Sequence, residues 1–107
     1  MAQEVIVLVT CPPQGAERIA RPLVEERLAA CVNVVRGITS IFRWQGDVSS
    51  ESEELLVIKS TRRSWDALCR RVRELHTYDT PEIVCLKIED GYKPYLDWLN
   101  SSVGQRE

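Results

Sequence analysis

Two long extended stretches flank a single tight turn, and this ribbon constrains the fold more than anything else in the 107-residue chain. Residues 31–45 (CVNVVRGITSIFRWQ) and 48–60 (VSSESEELLVIKS) are rich in β-branched and aromatic side chains, the composition of strands. Gly46 and Asp47 separate them, with glycine first as a type II′ hairpin turn prefers. Pairing Gln45 with Val48 sets Trp44 opposite Ser49, Phe42 opposite Glu51, Ser40 opposite Glu53 and Ile38 opposite Leu55. Gly37, inside the first strand, marks a bulge or bend. A strand of about 13 residues reaches roughly 43 Å, whereas a helix of about 15 covers roughly 22 Å. Residues 40–52 therefore project beyond anything the chain can lay over them. A lone two-stranded ribbon is marginal in water, and this one carries Ile41, Phe42 and Trp44. These side chains call for burial against further copies of the chain, with a closed ring as the natural outcome. The run Glu51, Ser52, Glu53, Glu54 reads as a charged side that discourages uncontrolled sheet growth.

The remaining elements follow from changes of period. Residues Glu4–Cys11 (EVIVLVTC) are almost continuously apolar, as in a strand covered on both faces. Pro12 and Pro13 end it. Ala16, Ile19, Ala20, Leu23, Val24 and Leu28 form one helical stripe, with Pro22 predicting a kink in a single helix. A second helix, capped by Thr61 or Ser64, buries Trp65, Leu68, Cys69, Val72 and Leu75. Residues 76–81 (HTYDTP) are a connection, 82–89 (EIVCLKIE) a fourth strand, and a last helix begins near Pro94 with Tyr95, Leu96, Leu99 and Val103 inward. The tail from 102 to 107 is expected to fray. The order is β-α-β-β-α-β plus a terminal helix. Right-handed crossovers turn it into an α+β, ferredoxin-like antiparallel sheet with helices on one face, as one domain over residues 1–107.

Composition narrows the function. Hydrophobic residues make up 44%, charged residues 28%, and the net charge is -2. No positive field is present to hold phosphates, so nucleic acid is not an expected partner. No apolar run reaches the roughly 18 residues of a membrane span, and the N-terminal stretch lacks a secretory leader, which points to the cytoplasm. The arginines at 62, 63, 70, 71 and 73 read as a solvated helix face. Nucleophile elbows and Gly-rich phosphate loops are missing, so no enzyme activity is expected.

Four cysteines (11, 31, 69 and 85) form no CxxC pair, and free thiols are expected. Cys31 is a soft-metal candidate. The densest polar stretch is His76, Tyr78, Asp79 and Glu82, between a helix and a strand. His76 is a possible metal ligand; its bland alternative is a hydrogen-bonded helix terminator.

Several segments together resemble the CutA family of divalent-cation tolerance proteins. They are ERLAACVNVV at 26–35, S-x-F-x-W-x-G at 40–46, ELLVIKST at 54–61, HTYDTPEIVCL at 76–86 and YLDWLNSSV at 95–103. The resemblance implies a ferredoxin-like homotrimer built by the long hairpins, linked to metal tolerance and binding copper or another divalent ion. It carries Cys31 and His76 over as metal ligands. Trp44, Gly46, Lys59, Tyr78, Pro81 and Glu82 match further family positions. Thr77 replaces a usual proline, and Val9 and Leu75 stand where some relatives carry a cysteine and a second histidine. Cys11 lies two residues beyond Val9 on the same strand face, which makes it the candidate third ligand. Two alternatives stand beside the metal reading. One is a PII-like trimeric sensor binding a small anion between subunits, with Trp44, Lys59, Tyr78 and Glu82 in the cleft; the other is a ligand-free scaffold.

Overall fold

The computed structural model describes residues 3–104. Strand β1 (Glu4–Cys11) is followed by helix α1 (Ala16–Glu25), strands β2 (Cys31–Trp44) and β3 (Asp47–Thr61), helix α2 (Trp65–Leu75), strand β4 (Ile83–Lys87) and helix α3 (Lys93–Ser102). A short 3-10 turn, Arg62–Ser64, leads into α2. The strands form one antiparallel sheet in the order β2-β3-β1-β4, the ferredoxin-like arrangement expected. Strand β4 is shorter than the 82–89 read from the sequence.

Alternation along β1 splits the sheet into two faces. Val5, Val7 and Val9 point to one side, where Leu56 and Ile58 of β3 and Ile19, Leu23, Leu68 and Val72 of the first two helices close the core. Ile6 and Leu8 point to the other side and are only half-buried. Helix α3 packs there: Asn100 donates to the carboxylate of Glu4, and Tyr95 lies near Cys31. Leu99 of α3 is fully buried, yet outside the α1–α2 cluster. Helices therefore lie on both faces, and β1 is double-covered. Tyr95, expected inward, keeps 40% of its surface exposed, tilted against Trp98.

The hairpin differs from its sequence reading in register. The turn residues are Gln45 and Gly46, with φ of +51° and +88°. Two left-handed central residues make a type I′ turn, whose twist matches the flanking strands. Trp44 consequently pairs with Asp47, Phe42 with Ser49, Ser40 with Glu51 and Ile38 with Glu53. Each partner is displaced by two positions from the expected one, which leaves every side chain on its expected face. The bulge falls between Val35 and Ile38, at Gly37 (φ +74°), as its glycine predicts. Residues of the far end are bare: Ile41 is 73% exposed, Trp44 57% and Val48 64%. The molecule measures 47 Å along its longest axis against 26 and 22 Å across.

Two helix ends are held by distant residues. Helix α1 runs unbroken through Pro22 and closes in a Schellman motif: the N–H of Leu28 bonds the carbonyl of Leu23, and that of Arg27 the carbonyl of Val24. The left-handed position there, usually glycine, is Arg27 with φ of +62°. Its guanidinium donates to the carbonyls of Gly104 (2.6 Å) and Ser101 (2.9 Å), and the Gly104 N–H returns a bond to the Arg27 carbonyl. Residues 102–104, expected to fray, are tied down by this clamp; residues 105–107 lie outside the described residues. Arg27→Ala is expected to lose both charged hydrogen bonds, worth about 1.5–3 kcal/mol each at most, and keep the left-handed strain. Arg27→Gly loses the clamp but relieves about 1–2 kcal/mol of that strain. Denaturant midpoints should thus order wild type above Arg27→Gly above Arg27→Ala, with α3 amides exchanging faster in both variants.

Candidate functional site

The sequence of α1 provides no side-chain cap, because its N-cap residue is Gly15. Glu54 of β3 takes that role from outside: its carboxylate accepts the N–H of Ala16 at 3.1 Å, and Arg36 approaches it at 3.5 Å. The backbone of Gln14 holds its carboxyl below the usual carboxylate range, with the Ala16 N–H and Arg36 acting in the same direction against burial. Glu53, its neighbour, is buried as well and accepts the hydroxyl of Tyr78 at 2.8 Å. These two carboxylates are therefore interior groups, not the charged outer side that the run 51–54 suggested. Only Glu51 and Ser52 of that run are exposed. The buried cap has a pH signature. A carboxylate lowered by folding stabilises the fold above its unfolded pKa and loses that contribution as pH falls through the folded value. Urea midpoints should fall as pH drops below about 5, and Glu54→Gln should fall less steeply there while starting lower at neutral pH.

Around Glu53 the structure gathers residues from four segments. His76 ends α2, its own N–H bonded to Val72. Its ring is buried, with Nε2 2.7 Å from the carbonyl of Thr10 and Nδ1 accepting the N–H of Tyr78 at 3.1 Å. A ring nitrogen that accepts from an N–H carries no proton, so the proton sits on Nε2 and is donated to Thr10. Both nitrogens are thus engaged in tying the 76–81 connection to the end of β1. The Tyr78 ring lies 4.7 Å from that of His76. Burial, then its bond to Glu53, push the Tyr78 hydroxyl up to about 12. Thr10 donates its own hydroxyl to Glu82 at 3.3 Å. Cys11 is fully buried beside Glu54 and Glu53; burial first, and those carboxylates next, push its thiol up to about 11.

Of the residues singled out by the sequence, His76, Tyr78, Glu82 and Cys11 come together here. Thr10, Glu53 and Glu54 belong with them and were missed as site residues. Their signal is cross-strand register, which single-sequence patterns do not display. Cys31, Lys59 and Trp44 lie elsewhere. Lys59 is six residues from Glu53 along β3, roughly 20 Å in an extended strand, and Trp44 sits opposite Asp47, as far away in the other direction. Cys31 pairs with Lys59, so within one chain it does not meet His76. Lys59 reaches the Asn33 side chain and stands 4.0 Å from the Cys31 sulfur. Among the described residues, no three of His, Cys, Asp and Glu are grouped to hold a metal ion, and no helix is long and apolar enough to cross a membrane.

A family model described as CutA1 divalent ion tolerance protein matches residues 5–102. The chain belongs to this family. The divalent-cation tolerance protein CutA of Thermus thermophilus is 52% identical over 102 residues, spanning 94% of this chain and 99% of that protein. Its solved structure superposes with a TM-score of 0.92. A rice CutA1 structure, 41% identical, covers 97% of this chain and 96% of its own, with a TM-score of 0.93. The chain spans only 56% of the full rice protein, which is named chloroplastic, so the CutA family is not confined to the cytoplasm. A structure named PII-like protein CutA, from Nostoc, is 37% identical over 97% of this chain and 98% of its own, with a TM-score of 0.86. The chain is thus a member of the CutA divalent-ion tolerance family and shares its fold with a PII-like relative.

Proposed function

We propose that this CutA chain works as a homotrimer in the response to divalent or soft metal ions such as copper, and that the ion is captured between subunits. The observation that carries the reading is the bare hairpin end. Ile41, Phe42, Trp44 and Val48 are exposed on a ribbon that its own helices do not reach, and a ring of three ribbons supplies the missing cover. The ligand geometry points the same way. His76 and Cys11 lie together within one chain, but Cys31 does not join them, so a site using Cys31 with either draws on two. Cys31 is the leading ligand, half-exposed on the sheet face that α3 shares. His76 ligates only by giving up its bond to Thr10 or to Tyr78, and Cys11 only by ionising a buried thiol raised to about 11. Titration with copper and zinc tests this: Cys31→Ala is expected to weaken binding at least about tenfold, equivalent to about 1.4 kcal/mol. Unchanged affinity removes Cys31 as a ligand.

A second reading is a PII-like sensor of a small anion, favoured by the name of the Nostoc relative and by the spacing of Trp44, Tyr78 and Lys59. These three, with Glu82, line a common cleft only where one subunit's hairpin passes its neighbour. Thermal shift against a panel of nucleotides and organic acids tests it, because a ligand that binds the native state raises its midpoint by mass action. No shift at millimolar ligand counts against it. Residence in the cytoplasm belongs to either reading, and fractionation of the native host checks it.

A further inference from the structure

Cys31 and Lys59 are direct register partners on β2 and β3, so their side chains leave the sheet on the same face, a few ångströms apart. The thiol sulfur stands 4.0 Å from the lysine nitrogen. Cys31 is also isolated from the other thiols by the sheet itself. Cys11 and Cys85 sit on β1 and β4 at positions pointing to the α1–α2 side, Cys85 beside Val7, and Cys69 lies on α2. Val32 and Val34 of β2 face that same core, which turns Cys31 and Asn33 the opposite way. All four cysteines are free. An oxidised Cys31 therefore has no thiol of its own chain to condense with, whereas the amine of Lys59 stands 4.0 Å away.

We propose that Cys31 and Lys59 form a covalent modification site, a sulfur–oxygen–nitrogen bridge made by peroxide, that staples β2 to β3 at the base of the hairpin. Peroxide first converts the thiol to a sulfenic acid, releasing water. A second peroxide oxidises the amine, and condensation leaves one oxygen between nitrogen and sulfur. In sum, one ammonium, one thiol and two hydrogen peroxides give the N–O–S bridge, three waters and one proton. Sulfur gives up two electrons and nitrogen two, and the two peroxides take all four. A bridging oxygen suits the observed separation better than a direct sulfur–nitrogen bond, which demands a larger approach of the lysine. The staple requires no movement of the backbone, because the two residues are already paired.

The test treats the purified full-length protein with hydrogen peroxide and measures intact mass and a tryptic map. The expected product is heavier by about 14 Da, as one oxygen enters and two hydrogens leave. It is reversed by dithiothreitol, and trypsin no longer cuts after Lys59. Cys31→Ser and Lys59→Arg, which retain a small polar side chain and a cation respectively, should each abolish the product. Urea-unfolded protein should not yield it either. A gain of about 32 Da with Lys59 still cleaved is sulfinic acid and overturns the proposal. So does a loss of about 2 Da, the mark of a direct sulfur–nitrogen bond, or survival of the 14 Da product in Lys59→Arg.

Discussion

Replacing Ile41, Phe42 and Trp44 together by serine is expected to leave a folded core that no longer assembles and runs as a monomer at micromolar concentration. Covering one large apolar side chain is worth about 1.5–3 kcal/mol, so three per subunit contribute roughly 5–9 kcal/mol of assembly energy. Every 1.4 kcal/mol is about tenfold in a dissociation constant, and a loss of this size moves association out of the micromolar range. The core itself should persist, because Val7, Val9, Leu23, Leu56 and Leu68 are fully buried without help from the hairpin end. Light scattering checks the mass, and circular dichroism checks the fold. A triple variant that still assembles would place the interface somewhere other than the ribbon.

The second large effect concerns His76. Replacing it by alanine strips partners from the carbonyl of Thr10 and the N–H of Tyr78. Leaving a buried group unsatisfied costs about 1–3 kcal/mol, so the variant should lose about 2–4 kcal/mol and its melting temperature should fall by more than about 10 °C. Copper affinity of the folded fraction should stay within about threefold of wild type, less than about 0.7 kcal/mol. That combination distinguishes a residue that pins a connection from one that binds an ion. A variant of unaltered stability that has lost copper would reverse the assignment, and the histidine would be the ligand the family resemblance implies.

How much of this was legible in the sequence depends on the range of the interaction. The strand limits of β1, the bulge at Gly37 and the break at residues 76–81 are local matters of period and of glycine and proline, and they were readable. The hairpin register was not, because Gln45 adopts the left-handed region that asparagine or glycine normally signals, and the neighbouring Gly-Asp pair looked like the turn. The error left all faces unchanged. The run 51–54 was misread for a different reason: Glu54 caps a helix 38 residues earlier in the chain, and Glu53 meets Tyr78 25 residues later. Three glutamates within four positions carry no mark of which two find a buried donor. Likewise, His76 and Cys31 were paired as ligands on residue type, while strand register places them far apart within a subunit.

Assembly depends on the hairpin end being covered by sister chains. The mass of the purified protein at micromolar concentration, by sedimentation equilibrium, tests this most directly. A single species near three times the 12.2 kDa of one chain, with Trp44 shielded from an aqueous quencher, is the predicted result. A folded 12.2 kDa species with Trp44 open to that quencher would contradict it.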